Sequence, residues 1–176
     1  VRAKSGGPFD WHGVLDVDGS LEVSAPKVAV SGTLSAMHIE LSTSGLLHVE
    51  NGAKIIARDG GNLAIRCGVF VSGGNLSADG PRGGRIAINS RNFQNHGFVH
   101  ADGTVDDGGE VEIRFSDQFI QPSIGQVSVN GQLNAGRIEI SGGETGSLFN
   151  SGAFLATGNF GGIIRVQGQN LKLYGA

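Results

Sequence analysis

The chain has 176 residues and a formal net charge of −3, enough length for one domain with a sizeable core and too little charge to draw nucleic acid or an acidic membrane by long-range attraction. Its uncharged runs are broken by Gly, Ser and Asn, so nothing approaches the roughly 20 apolar residues of a membrane span. Gly is the outlying component, 31 of 176 residues against an ordinary share of roughly 7%, which calls for a backbone with many tight turns or close approaches.

The opening VRAKSGG lacks the apolar segment of a secretion signal. It fits a chain already processed, or a piece of something larger, and residues 1–12 are expected to be an irregular lead-in or cap. From Gly13 a heptad recurs in the form Gly-x-aliphatic-x-small-(Asp/Asn/Thr)-Gly. It reads GVLDVDG at Gly13, GNLSADG at Gly74, GFVHADG at Gly97, GQVSVNG at Gly125 and GAFLATG at Gly152, with a partial copy GTLSAMH at Gly32 and an expanded one from Gly52 to Gly60. The starts lie 19 to 28 residues apart, a period that signals stacked structural units.

A second pattern interleaves with the first, as GGNLAI, GGRIAI, GGEVEI, AGRIEI and GGIIRV. Alternate residues of an extended strand share a face, so the inward pairs are Leu63/Ile65, Ile86/Ile88, Val111/Ile113, Ile138/Ile140 and Ile164/Val166, preceded by Leu21/Val23 and Ile39/Leu41. A third, weaker strand is expected from Val28/Val30, Leu47/Val49, Val69/Val71, Phe93, Phe119, Phe149 and Leu171/Leu173. No stretch keeps a helical apolar period. Three alternating strands per unit, separated by Gly, Asn and Asp turns, predict an all-β right-handed parallel β-helix, a β-solenoid of about seven coils of three short strands, as a single domain over residues 13–176. At about 4.8 Å per rung it forms a rod of roughly 35 Å, and its hand follows from the crossover rule. An antiparallel sandwich is the structural alternative, but it does not require the same three-strand order in every repeat.

Stacking turns the repeat into columns. His100 falls in the column Asp16, Ser35, Ser77, His100, Ser128, Leu155, expected to be a variable solvent face. Asp102 falls in Asp18, Met37, Asp79, Asp102, Asn130, Thr157, a turn column whose short side chains can bond nearby backbone. His100 and Asp102 are therefore expected side by side on the outside, without a catalytic role. Arg85, Glu110 and Arg137 share one column of the second strand, and Glu112, Glu139 and Arg165 the next. Opposite charges one rung apart support pairing, which predicts a solvated ion-pair lattice. The same six residues are the candidate surface ligand ladder for a polysaccharide. If the face were catalytic, as a lyase or hydrolase, Glu112 and Glu139 would be its carboxylates, with Arg137 and Arg165 as basic partners.

Other signals point to structure. The lone thiol, Cys67, reads as buried and inert. DVDG at Asp16 looks like the start of a calcium loop but has no following Glu ligand, so it reads as a turn. No P-loop and no Gly-x-Ser-x-Gly elbow occurs. His12, His38, His48 and His96 fall on different coils, and no cofactor or metal is expected. Phe9, Trp11 and Tyr174 lie near the ends, where they could cap exposed rungs.

The wording of GGRIAINSRNFQNHGFVHADG, GGEVEIRFSDQFIQ and AGRIEISGGETGSLFNSGAFLATGNFGGIIRVQGQNLKL resembles the shaft repeats of filamentous haemagglutinin-like exoproteins of two-partner secretion systems in Gram-negative bacteria. The resemblance is good over residues 61–176 and loose over 13–60. It implies an adhesin, a biofilm matrix protein or a toxin-carrying stalk, exported through an outer-membrane pore partner to the cell surface, with surface polysaccharide or a neighbouring cell's glycans as possible ligands. The Asn-Pro-Asn-Leu type of motif found in that family's secretion domain is missing from this sequence. The sequence therefore fits an interior shaft segment, and the lack of an obvious cap after LKLYGA fits a fragment of a longer shaft.

Overall fold

Apolar residues spaced two apart bury one side of an extended strand, and the Gly-rich breaks between runs turn the chain. In the computed structural model, which describes residues 1–174, the described residues contain no helix. Their strands pair in parallel and wind into a β-solenoid of about seven turns. Each strand bonds to its counterpart one coil away, so three parallel faces run along the rod.

On the first face, residues 14–17, 33–36, 54–57, 75–77, 98–100, 126–128 and 153–155 stack in order. Their central inward residues form the column Leu15, Leu34, Ile55, Leu76, Val99, Val127, Phe154. The second face stacks every aliphatic pair expected for it, from Leu21/Val23 through Ile164/Val166, in unbroken register. These residues are no more than 2% exposed up to Ile138/Ile140. The last rung is open: Ile164, Leu171 and Leu173 are 45%, 42% and 58% exposed in columns that are otherwise buried.

The third face buries Val28/Val30, Leu47/Val49, Phe93 and Phe119 as expected and departs from the sequence expectation on two rungs. Leu47 pairs with Phe70, Phe70 with Phe93, Phe93 with Phe119 and Phe119 with Leu148. Val69 and Val71 therefore point outward, and Phe70 and Ser72 fill the interior. Likewise Leu148 is buried while Phe149 faces out, under the Lys172 ammonium 5.4 Å from its ring. A one-residue shift reverses every side chain of a strand, and VFVS and SLFN offer apolar residues in both phases. What decides the phase is the stack. Phe70 and Phe93 lie with ring centroids 4.7 Å apart and nearly parallel, and Phe119 follows at 5.2 Å.

The adjoining interior column is polar. Asn95 Nδ2 donates to Gln121 Oε1 at 2.8 Å, and Gln121 Nε2 donates to Asn150 Oδ1 at 3.0 Å. The Asn95 and Asn150 carbonyls also accept the N–H of Gly97 and Gly152. A buried amide needs partners for both its donors and its acceptor, and repeating it rung after rung supplies them.

The lead-in, residues 1–12, is not irregular. Arg2–Lys4 pairs with residues 22–24 and Phe9–Trp11 with Val28–Val30, because the open edge of the first full coil offers backbone partners whatever the side chains. Phe9 and Trp11 stack at 6.3 Å and pack on the core. Tyr174 is exposed.

The glycines before the second face have a steric cause. A Cβ on Gly84, Gly109 or Gly136 would collide with the carbonyl oxygen of Gly61, Gly84 or Gly109 respectively, one coil below. The backbone corners stack too closely for a side chain.

The third-face register can be checked by truncation. Leu148→Ala is expected to cost about 2–5 kcal/mol and Phe149→Ala about 1 kcal/mol or less, read from urea unfolding. The reverse order would restore the expected Phe149-inward phase.

Candidate functional site

Two clusters of charged side chains lie on the outside of the coil. The larger is on the second face. Strand alternation that turns Val111 and Ile113 inward turns Glu110, Glu112 and Arg114 outward, and the parallel register places Arg85, Glu110 and Arg137 in one row and Glu112, Glu139 and Arg165 in the next. The six candidate residues are thus brought together as their columns imply. Arg85 reaches Glu110 Oε2 at 3.5 Å and, on the diagonal, Glu112 Oε2 at 2.7 Å. Arg165 Nη1 lies 3.0 Å from Glu139, which also pairs with Arg137 on its own strand.

Sequence reasoning missed Arg114, which closes on Glu112. The signal was its position two residues along from Glu112, on the same face. Each of Glu112 and Glu139 thus sits between two guanidinium groups. The Arg137 hydrogen bond, ahead of the opposing effect of desolvation, holds the Glu139 carboxyl below the usual range, and the same bond raises Arg137.

Beside this lattice runs an open groove of about 640 Å³, floored by the stacked glycines and edged by Arg85, Glu110 and Arg137 on one side and Asp107 and Asn134 on the other. The inserts at 103–108 and 131–135 stack into one ledge. Val105 N–H donates to Pro81 O, Gln132 N–H to Asp106 O and Phe160 N–H to Leu133 O, leaving Val105, Leu133 and Phe160 exposed. The insert at 141–147 turns at a different corner, between the second and third faces. DVDG lies within the strand Val14–Ser24, at the register shift between Val17 and Ser20, with Gly19 at φ 95°. Arg58, two coils on, pairs with Asp16 at 3.3 Å and Asp18 at 3.2 Å.

The second cluster contains His100, and here two expectations are corrected. Its column is not a free solvent face, for Ser35, Ser77 and Ser128 are buried. The register puts Ser35 between Asp16 and Ile56, Ser77 between Ile56 and His100, and Ser128 between His100 and Leu155, so larger neighbours shade each small side chain. Nor does His100 pair with Asp102. Its Nδ1 meets Asp79 Oδ2 on the preceding coil at 2.6 Å, and its Nε2 meets Asn75 Oδ1 at 2.5 Å.

The turn column bonds between coils rather than locally. Asp79 Oδ1 accepts the N–H of Asp102 at 2.7 Å, Asp102 Oδ1 that of Asn130 at 2.6 Å, and Asn130 Oδ1 that of Thr157 at 3.1 Å. Burial acts to raise the Asp79 carboxyl, but the His100 hydrogen bond and charge and the Asp102 N–H together bring it below its ordinary value. The other histidines are scattered: His12 bonds Ser31, and His38 lies near Asn62. Cys67 is half-buried, and burial pushes its thiol up to about 12.

Comparison with known proteins found no matching protein family, no matching curated protein and no matching solved structure.

Two outcomes follow from this geometry. Because the folded state lowers the Asp79 carboxyl, its contribution to stability is complete above the unfolded carboxylate value of about 3.9 and fades as pH falls through the lower folded value. Asp79→Asn should therefore lose stability relative to wild type at pH 7, with the gap narrowing below about pH 4 in urea titrations. Cys67 should resist iodoacetamide at pH 8 in the native chain and react once the chain is unfolded, since the thiolate is the nucleophile.

Proposed function

We propose that this β-solenoid is a structural and adhesive shaft segment of a large secreted cell-surface exoprotein of the two-partner secretion kind. The observation that carries the proposal is the mutual pairing of the charged face. Glu112 and Glu139 each lie between two arginines, and the Glu139 carboxyl is held low. A general acid working near neutral pH needs a carboxyl raised toward that pH, which is the opposite environment. Such a lattice suits a ladder that lines the stacked coils while offering guanidinium edges to a ligand.

The repeat supports the same role. A solenoid couples each coil mainly to its neighbours, so it lengthens by duplication and can fold coil by coil as it leaves an outer-membrane pore. The parent protein would be exported through such a pore partner to the bacterial surface, and its ligands would be surface polysaccharide or the glycans of a neighbouring cell. Among the described residues no helix is long and apolar enough to cross a membrane.

Incubated with acidic polysaccharides, with and without calcium, the purified chain is expected to give neither unsaturated products nor new reducing ends. On a glycan array it is expected to bind, and to bind less after Arg137→Ala or Arg165→Ala. Appearance of either product would replace this proposal with a polysaccharide-degrading enzyme acting through Glu112 and Glu139.

A further inference from the structure

Asp79, His100 and Asp102 belong to the first-face corner, apart from the arginine and glutamate lattice, and what they can do is independent of an adhesive role. Each carboxylate holds a backbone N–H of the next coil with one oxygen. Asp79 Oδ1 holds the N–H of Asp102, and Asp102 Oδ1 holds the N–H of Asn130. The second oxygen of Asp79 meets His100 Nδ1 at 2.6 Å, and that of Asp102 accepts the Ser128 hydroxyl at 3.0 Å. One donor atom from each of the three residues can be chosen so that all lie within 4.8 Å of one another.

The imidazole is fixed from its other side. Nε2 lies 2.5 Å from the amide oxygen of Asn75, an acceptor, so Nε2 carries a hydrogen. A neutral ring in that tautomer aims the Nδ1 lone pair at a carboxylate oxygen 2.6 Å away. At 2.6 Å only a proton fits between Nδ1 and Oδ2, and a metal ion takes its place once the pair opens. A carboxylate oxygen of Asp102 is the third ligand atom within reach. One imidazole nitrogen and two carboxylate oxygens form a ligand set suited to zinc, with the fourth position left for water. Zinc ligands at about 2.0–2.2 Å sit about 3.4 Å from one another in a tetrahedron. The Asp79 to His100 contact needs to open by less than about 1 Å to reach that spacing. The hydrogen bond His100 Nε2–H donates to Asn75 Oδ1, and those that Asp79 and Asp102 accept from the N–H of Asp102 and Asn130, are the kind that orient a metal site.

We propose that Asp79 Oδ2, His100 Nδ1 and a carboxylate oxygen of Asp102 bind a divalent zinc-type ion that clamps two successive coils of the shaft together. Asp79 lies on one coil and His100 and Asp102 on the next, so the ion adds a link along the rod axis. An ion bound only by the folded chain stabilises it by mass action.

The test is calorimetric titration of zinc chloride into the chelator-treated chain. One ion per chain is expected. Affinity should fall by about tenfold or more in both Asp79→Asn and His100→Ser. Asp79→Asn keeps a side-chain carbonyl for the Asp102 N–H, as Asn130 does for Thr157, and His100→Ser installs the residue found on both adjoining rungs, so both variants should fold. Zinc uptake that is unchanged in both variants, or no uptake by the wild-type chain, overturns the site. Ring-nitrogen NMR of the wild-type chain needs no variant. Zinc should shift Nδ1 of His100 while its Nε2 stays protonated, and an unperturbed His100 ring would sink the proposal.

Discussion

Like side chains stacked on like, one rung apart, are the interaction on which the rest of this structure depends. Parallel pairing repeats every coil at the spacing of neighbouring strands, so an aliphatic or aromatic residue meets its counterpart at contact distance along the whole interior. Fully burying one such side chain is worth about 1.5–3 kcal/mol, whereas an exposed ion pair contributes about 0–1 kcal/mol. The columns through Leu63/Ile65 and Phe93 therefore set the register, and the outer lattice follows it. Arg85 meets Glu112 because Ile86 has already stacked on Val111. The Asp79, Asp102 and Asn130 clamps work for the same reason, each side chain being delivered to a backbone N–H on the next coil.

Two of the three faces could be read in full from the sequence, and the third in part. The second face was legible because Gly-Gly precedes two aliphatics at spacing two with charged residues between them, so only one phase buries the apolar pair. The first face was legible from its heptad. The third was legible at Val28/Val30, Leu47/Val49, Phe93 and Phe119 but not on two rungs, since Val69-Phe70-Val71 and Leu148-Phe149 are apolar in either phase. The true phase also buries Ser72, Asn95, Gln121 and Asn150, which a polarity rule sends outward. Such amides become interior residues only when a neighbouring coil supplies the partner, and that partner is invisible in one segment alone. A hint was present in Asn-x-Gly at Asn95 and Asn150.

The candidate clusters divide along the same line. Arg85, Glu110, Arg137, Glu112, Glu139 and Arg165 could be placed in their rows from the repeat, and Arg114 could have been added from its spacing. The pairing of His100 with Asp79 could not. It joins residues on different coils and diagonal to one another, with Ser77 as the direct neighbour of His100, so it exists only once the rungs are aligned and the turn after Ala78 is formed. Assigning the histidine column to open solvent failed for a related reason. Exposure on a ladder depends on the size of residues above and below, not on polarity.

The amide ladder in the interior bears on how such a rod answers force. Tension along the axis loads the bonds between coils in series, so the assembly yields at its weakest junction rather than at an average one. From Phe70 to Asn150 the junctions carry a ring stack, side-chain amide bonds and aspartate clamps in addition to the backbone. The coils before them, where Val30 sits on Val49, have apolar contact alone in that column. The chain is therefore mechanically graded, with a reinforced stretch that would keep its shape after the plainer coils beside it had begun to open.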